Sequence, residues 1–289
     1  MHSKWIAASL TSVLIALSGA STTAQADIKE SVVQIPVRVQ GSDGTPHQQS
    51  ITLTIFRDER RKQAPFLILN HGRAGDPQER KNFGRSVFRE QSRYFVDKGF
   101  VVILPTRIGY GVTEGPDLET SGPCSNKDYP ASLVPAVAQV EAAIRYAKAQ
   151  DYVDPARGAV VGQSVGGFTT IGTAAKNIAG VKIAINFAGG AGGDPKNRRS
   201  NPCQADRIAD TYGELGAKAR IPTLWLYSVN DAYWGPDHPK QWVAAFTARG
   251  GRAEFVALPA NGDDGHSSFR RDPEAWQPKV DAFLKKNGF

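Results

Sequence analysis

The feature that most restricts the fold of this chain is a series of short apolar runs separated by helix-like stretches. Residues 66–70, 100–104, 158–162, 181–187, 223–227 and 253–258 are runs of this kind. They suit strands covered on both faces, as in a parallel sheet. Between them, Leu133, Val137, Val140, Ile144 and Ala147 recur at helical spacing, and residues 239–248 and 273–286 read similarly. Strand–helix alternation of this sort predicts an α/β fold, a mostly parallel sheet with helices on both faces. Residues 32–40 and 50–57 differ. They alternate apolar and polar positions around Gly41-Ser42-Asp43-Gly44, which predicts an N-terminal antiparallel hairpin. Repeats, low-complexity tracts and linkers are lacking, so residues 27–289 are expected to form one domain. Residues 194–216 show the longest stretch without a clear period and are expected to be a loop or small lid inserted after a strand.

The first 26 residues read as a cleaved signal peptide. Lys4 precedes the apolar residues 5–17, and small, polar residues follow, ending in Ala24-Gln25-Ala26, a pattern signal peptidase accepts. The apolar run of about 13 residues is short of the ~20 that span a bilayer. The mature chain is therefore expected to start at Asp27 and to be exported, periplasmic or secreted, without stable membrane insertion. A formal charge of +7 comes from 35 Lys and Arg against 28 Asp and Glu. These charges are interspersed, and no zinc-finger spacing, RNA-recognition signature or basic helix is present. Nucleic acid is not an expected partner.

The chemistry is carried by one motif. The apolar run 158–162 leads into Gly162-Gln163-Ser164-Val165-Gly166-Gly167 and then a helix-compatible segment. G-x-S-x-G alone is a weak pattern, but a strand before it and a helix after it make a nucleophile elbow. Ser164 is the candidate nucleophile. A serine hydroxyl needs a base, usually a histidine oriented by a carboxylate. Past residue 26 the histidines are His47, His71, His238 and His266. His266 lies in a glycine-rich loop after the last apolar run and is the expected base. His47 falls in the hairpin turn, His238 in a Pro-flanked helix start, and His71 reads as a structural hydrogen-bonding residue. Asp231, just past residues 223–227, is the expected acid, in the chain order Ser, Asp, His. Asp263 and Asp264 compete with it, but share the histidine's own loop and suit turn shaping or capping. The oxyanion formed on attack needs two backbone donors. Val165, opening the nucleophile helix, and Arg73, after Gly72 in the loop following residues 66–70, are the expected pair.

His71-Gly72, the 107–111 segment Arg-Ile-Gly-Tyr-Gly, Glu114-Gly115, Val153-Asp154-Pro155, the Ser164 elbow, Asp231 and His266 together resemble the α/β-hydrolase superfamily. The nearest likeness is to its dienelactone-hydrolase and prolyl-oligopeptidase-like branch, over about residues 60–289. The resemblance implies a sheet of about eight strands with the hairpin at one edge, and no cofactor or metal. Dienelactone hydrolases proper use a cysteine where this chain has Ser164, which favours ester or amide cleavage. The leading expectation is an exported carboxylic-ester hydrolase acting on a small-molecule ester through an acyl-enzyme. A serine peptidase or amidase of the prolyl-oligopeptidase type, and a catalytically silent binding protein on the same fold, are the alternatives.

Two further expectations concern the rim of the site. Tyr110, Tyr129 and Trp234 lie in loops at the carboxyl ends of strands, where α/β sheets bind ligands. With Arg73 and Arg107 nearby, Tyr110 and Trp234 are expected to contact substrate and to favour aromatic or acidic acyl groups. Cys124 and Cys203, the only cysteines, lie in polar, Pro-containing loops and are expected to form a disulfide after export.

Overall fold

The computed structural model describes residues 1–2 and 27–289. The expected signal peptide therefore lies outside the described residues, apart from its first two. Two long strands open the fold. β1 (Ile28–Gln40) and β2 (Pro46–Asp58) pair antiparallel from Ile28 opposite Asp58 to Gln40 opposite Pro46. Then follow β3 (Ala64–Asn70), α1 (Pro77–Lys81), α2 (Arg89–Asp97), β4 (Val101–Thr106), α3 (Tyr129–Lys148), β5 (Val153–Gln163) and α4 (Val165–Ala174). The chain ends with β6 (Val181–Phe187), α5 (Ala205–Lys218), β7 (Thr223–Ser228), α6 (His238–Ala248), β8 (Ala253–Leu258), α7 (Ser268–Arg271) and α8 (Pro273–Lys286).

The strands form one sheet in the order β1-β2-β4-β3-β5-β6-β7-β8. β2 runs antiparallel to β4, and β4, β3, β5, β6, β7 and β8 are mutually parallel. The residue patterns match these positions. The second half of β1 alternates buried and exposed residues, as suits an edge strand, whereas β4 is buried throughout. On one face Ile68, Ile103 and Val160 pack with Val140 and Ile144 of α3. On the other, Leu67, Val102 and Val161 share a core with Phe95 of α2 and with Trp276 and Phe283 of α8. Each such buried side chain contributes roughly 1.5–3 kcal/mol of transfer free energy. This is what covers the central strands on both sides.

The segment 194–216 corrects the expectation of an irregular insert, because its second half is helix α5. Ile208 and Tyr212 are buried in a cluster with Trp225, Trp242 and Phe246. Gly213 and Gly216 obscured the helix, since each lowers propensity by about 1 kcal/mol relative to Ala. Their use is tertiary: a Cβ at Gly216 would sit 2.1 Å from the Phe246 carbonyl oxygen, so glycine lets α5 lie against α6. Among the described residues no helix is long and apolar enough to cross a membrane.

Candidate active site

β5 ends at Gln163 and α4 starts at Val165, so Ser164 alone makes the turn between them. Its φ of 59° and ψ of −129° lie where side-chain-bearing residues are strained, at a cost of about 1–3 kcal/mol. The surroundings impose that conformation. Ser164 N–H donates to the Phe187 carbonyl at 2.9 Å, and Phe168 N–H donates to the Ser164 carbonyl at 3.0 Å. A Cβ at Gly162 would stand 2.2 Å from the Gly166 oxygen, and one at Gly166 2.3 Å from the Asn70 oxygen. Strand and helix meet at backbone contact, and only the glycines allow it.

His266 sits in a short 3₁₀ turn, Gly265–Ser267, beyond β8, and Asp231 lies beyond β7. The structure brings them together: His266 Nδ1 is 2.9 Å from Asp231 Oδ2. The other carboxylate oxygen, Oδ1, accepts the N–H groups of Tyr233 and Trp234 at 2.8 and 3.1 Å. A proton on Nδ1 satisfies this bond, leaving Nε2 free to act as an acceptor. Ser164 Oγ makes no hydrogen bond to a described residue; such contacts are often loose before substrate binds. Asp264 has the capping role. Its Oδ1 accepts the N–H of Ala232 and the N–H of His266, both at 2.9 Å, tying the acid loop to the base loop. Asp263 contributes its backbone carbonyl, to Arg199.

Three residues that the sequence reading passed over complete this side. The Asn230 side chain accepts Asn261 N–H at 3.1 Å and donates to the Gly262 carbonyl at 2.8 Å. Gln163 Nε2 donates to the His266 carbonyl at 3.0 Å, linking the elbow to the base. Tyr233 lays its ring on the His266 imidazole, with centroids 3.9 Å apart and planes 25° apart. Gln163 stood inside the motif, and Asn230 and Tyr233 flank Asp231 within two residues, so adjacency was the available signal.

Opposite lies the loop after β3. Gly72 approaches the nucleophile so closely that a Cβ there would be 3.1 Å from Ser164 Cβ. The N–H groups of Arg73 and Val165 have no protein acceptor among the described residues, as oxyanion donors require. The loop is held from beneath. Arg107 Nη1 donates to the His71 carbonyl at 2.8 Å, and Arg107 N–H donates to His71 Nε2 at 3.1 Å. The Arg107 side chain is buried in a pair with Glu119, Nε to Oε1 at 2.5 Å. Burial opposes the guanidinium's charge, but the Glu119 carboxylate outweighs it and holds its pKa above the usual value. His71 Nδ1 donates to the Gly72 carbonyl at 2.7 Å. Burial, and then the Arg107 charge, hold His71 well below the usual 6.5, so it stays neutral and structural.

Ser164 and Val165 open on a cavity of about 570 Å³, whose walls include Arg73, Lys127, Arg198, Tyr233 and Trp234. Trp234 borders the cavity, largely buried, with its indole N–H anchored on the Ala188 carbonyl at 2.7 Å. Tyr110 does not, and its expected substrate contact is corrected. It is buried against His71 and Phe83, with ring centroids 4.6 and 5.5 Å away, where it packs beneath the loop after β3. Tyr233 is the tyrosine that faces the cavity. Tyr129 lies beneath, donating to the Cys203 carbonyl. Cys124 and Cys203 form a disulfide across 79 residues, and both line the cavity. A loop of that length corresponds to roughly 4–5 kcal/mol on the chain-entropy model. Lys127 is held below the usual lysine range by burial and then by the charges of Arg73 and Arg198. His238 packs on Trp242 at 6.1 Å, and His47 lies on β2.

Sheet order, the elbow at Ser164 and the strand-end positions of Asp231 and His266 define the class: this chain has the α/β-hydrolase fold. Its likenesses lie in the dienelactone-hydrolase and prolyl-oligopeptidase-like branch. The family model for the prolyl oligopeptidase family matches residues 86–189. A Klebsiella pneumoniae protein assigned to the dienelactone hydrolases is 17% identical with a TM-score of 0.55, over 88% of this chain and 98% of its own. A cold-adapted esterase from an Arctic intertidal metagenomic library is 14% identical with a TM-score of 0.58, over 90% and 94%. The Pyrococcus horikoshii acylaminoacyl peptidase is 12% identical with a TM-score of 0.55, over 88% of this chain but 41% of its own. No curated protein matches.

Proposed function

We propose that this chain hydrolyses carboxylic esters through Ser164, His266 and Asp231. The observation that carries the reading is the 2.9 Å His266–Asp231 bond, formed beyond the ends of β7 and β8 on the same rim of the sheet as a strained Ser164. In this mechanism Ser164 gives its proton to His266 Nε2 while its oxygen attacks the ester carbonyl carbon. The N–H groups of Arg73 and Val165 hold the oxyanion. As the intermediate collapses, His266 returns the proton to the leaving alcohol and an acyl-enzyme remains. Water then repeats the cycle and releases the acid. Trp234 in the cavity wall favours an aromatic acyl group.

The prolyl oligopeptidase match supports a second reading, cleavage of an amide by the same residues. Comparing a nitrophenyl acetate with a peptide anilide separates the two. Ser164→Ala should remove turnover by about 10⁴-fold or more while the melting midpoint barely moves. Labelling of the parent by an organophosphonate should map to Ser164. Ester turnover surviving in Ser164→Ala, or a label on another serine, rejects the reading. Export through residues 1–26 belongs to the same proposal. It is supported by the A-x-A segment and by a disulfide that requires an oxidising compartment. Sequencing the amino terminus of exported protein should start at Asp27.

A further inference from the structure

We propose that Tyr233 is a positioning residue for the base, a role that rests on His266 serving as that base. The imidazole is held at its edge by one carboxylate oxygen of Asp231, a bond that fixes distance but leaves the ring free to rock about it. Tyr233 closes that freedom by stacking on one face at 3.9 Å, while Trp234 meets the ring at 73° and 5.5 Å. Both rings belong to the segment whose N–H groups hold Asp231. Acid and clamp are therefore one rigid unit: any shift of the carboxylate carries the stacked ring with it.

The position of Tyr233 adds a second effect. Its ring lines the cavity and covers one face of the His266 imidazole. During turnover the imidazole becomes a cation, and the face of an aromatic ring attracts a cation at this range. The ring face, and not the hydroxyl, does this. Tyr233 Oη makes no hydrogen bond to a described residue. Burial, followed by the carboxylates of Asp264 and Asp231, raises its pKa, so it remains a neutral phenol.

The test compares Tyr233→Leu, which keeps bulk without a π face, with Tyr233→Phe, which keeps the face without the hydroxyl. Proton NMR of the resting protein reads the downfield Nδ1 proton of the His266–Asp231 bond, and ester kinetics read kcat and KM. Tyr233→Leu should broaden or lose that resonance and lower kcat about tenfold, with KM moving less than about twofold. Tyr233→Phe should restore the resonance and return kcat to within about threefold of the parent. A sharp resonance with parental kcat in Tyr233→Leu overturns the proposal. So does a Phe variant as impaired as Leu, or a loss confined to KM. If Tyr233→Leu does not fold, Tyr233→Met takes its place with the same criteria. Ser164→Ala separates this proposal from the one beneath it. Turnover persisting there rejects the catalytic reading, while the resonance, read without substrate, still decides what Tyr233 does to the imidazole.

Discussion

The two sides of the site are built from different materials. On the base side, His266 and Asp231 are held by carboxylate hydrogen bonds and aromatic faces with no cation among them, and Asp264, Asn230 and Gln163 lace the loops together. On the oxyanion side, the backbone of His71 and Gly72 rests on a fully buried ion pair, Arg107 with Glu119. The contrast follows from what each side does in the proposed reaction. An imidazole that gains and loses a proton cannot sit beside a fixed, desolvated cation without a penalty on every cycle. A loop that only has to keep two N–H groups aimed can use buried charge, because nothing in it changes ionisation. A fixed cation is tolerated where nothing changes ionisation and costly beside a group that becomes a cation itself.

Exchanging one atom for another on the base side gives the largest effect. Asp231→Asn keeps the shape but removes the charge that orients the imidazole, and kcat should fall by about 10⁴-fold. Asp264→Asn, in the same loops, should instead lose about 1 kcal/mol of stability with kcat changed by less than tenfold. Steady-state kinetics with denaturant melts on both proteins check the pair. The reverse ranking would exchange the roles of the two aspartates.

Breaking the oxyanion side should register first in stability. Arg107→Met strands Glu119 in the interior and should cost about 3–5 kcal/mol. The double variant Arg107→Met, Glu119→Leu should recover much of that stability but not kcat, since the His71 carbonyl still lacks its guanidinium donor. Recovery of both by the double variant would reduce the pair to packing.

The smallest effect is a pH slope. His71 is neutral in the folded protein and protonates near 6.5 once unfolded. Its folded pKa is depressed, so its contribution is fully present above 6.5 and is lost as pH falls below that value towards the folded pKa. In that window the parent should lose up to about 1.4 kcal/mol per pH unit that His71→Gln does not lose. Melts between pH 7 and 5 on the two proteins measure it; parallel curves would place the acid sensitivity elsewhere.

Much of this architecture is legible in the linear chain because it depends on local rules. Unbroken apolar runs require strands covered twice, and alternation in β1 requires an edge with one wet side. Glycines around Ser164 require a turn too tight for side chains. Strand-end positions singled out Asp231 and His266, which the fold brings within hydrogen-bond distance, and Arg73 and Val165 as the proposed donors. Where local rules and tertiary contacts disagreed, the chain misled. Gly213 and Gly216 look like helix breakers, and α5 exists because α6 lies against them. Tyr110 and Tyr233 look alike in sequence, each in a loop after a strand. Which one faces the cavity depends on whether its ring packs on His71 beneath the β3 loop or on His266 beyond β8. The Arg107–Glu119 pair had no signature, since an acid twelve residues from an arginine is ordinary until folding removes both from water. The sequence by itself determined the sheet, the elbow and the chain order of Ser164, Asp231 and His266, because propensity and patterning act between near neighbours. Tertiary structure decided what holds the imidazole and the oxyanion loop still, because those partners meet only when distant strand ends are brought to one rim.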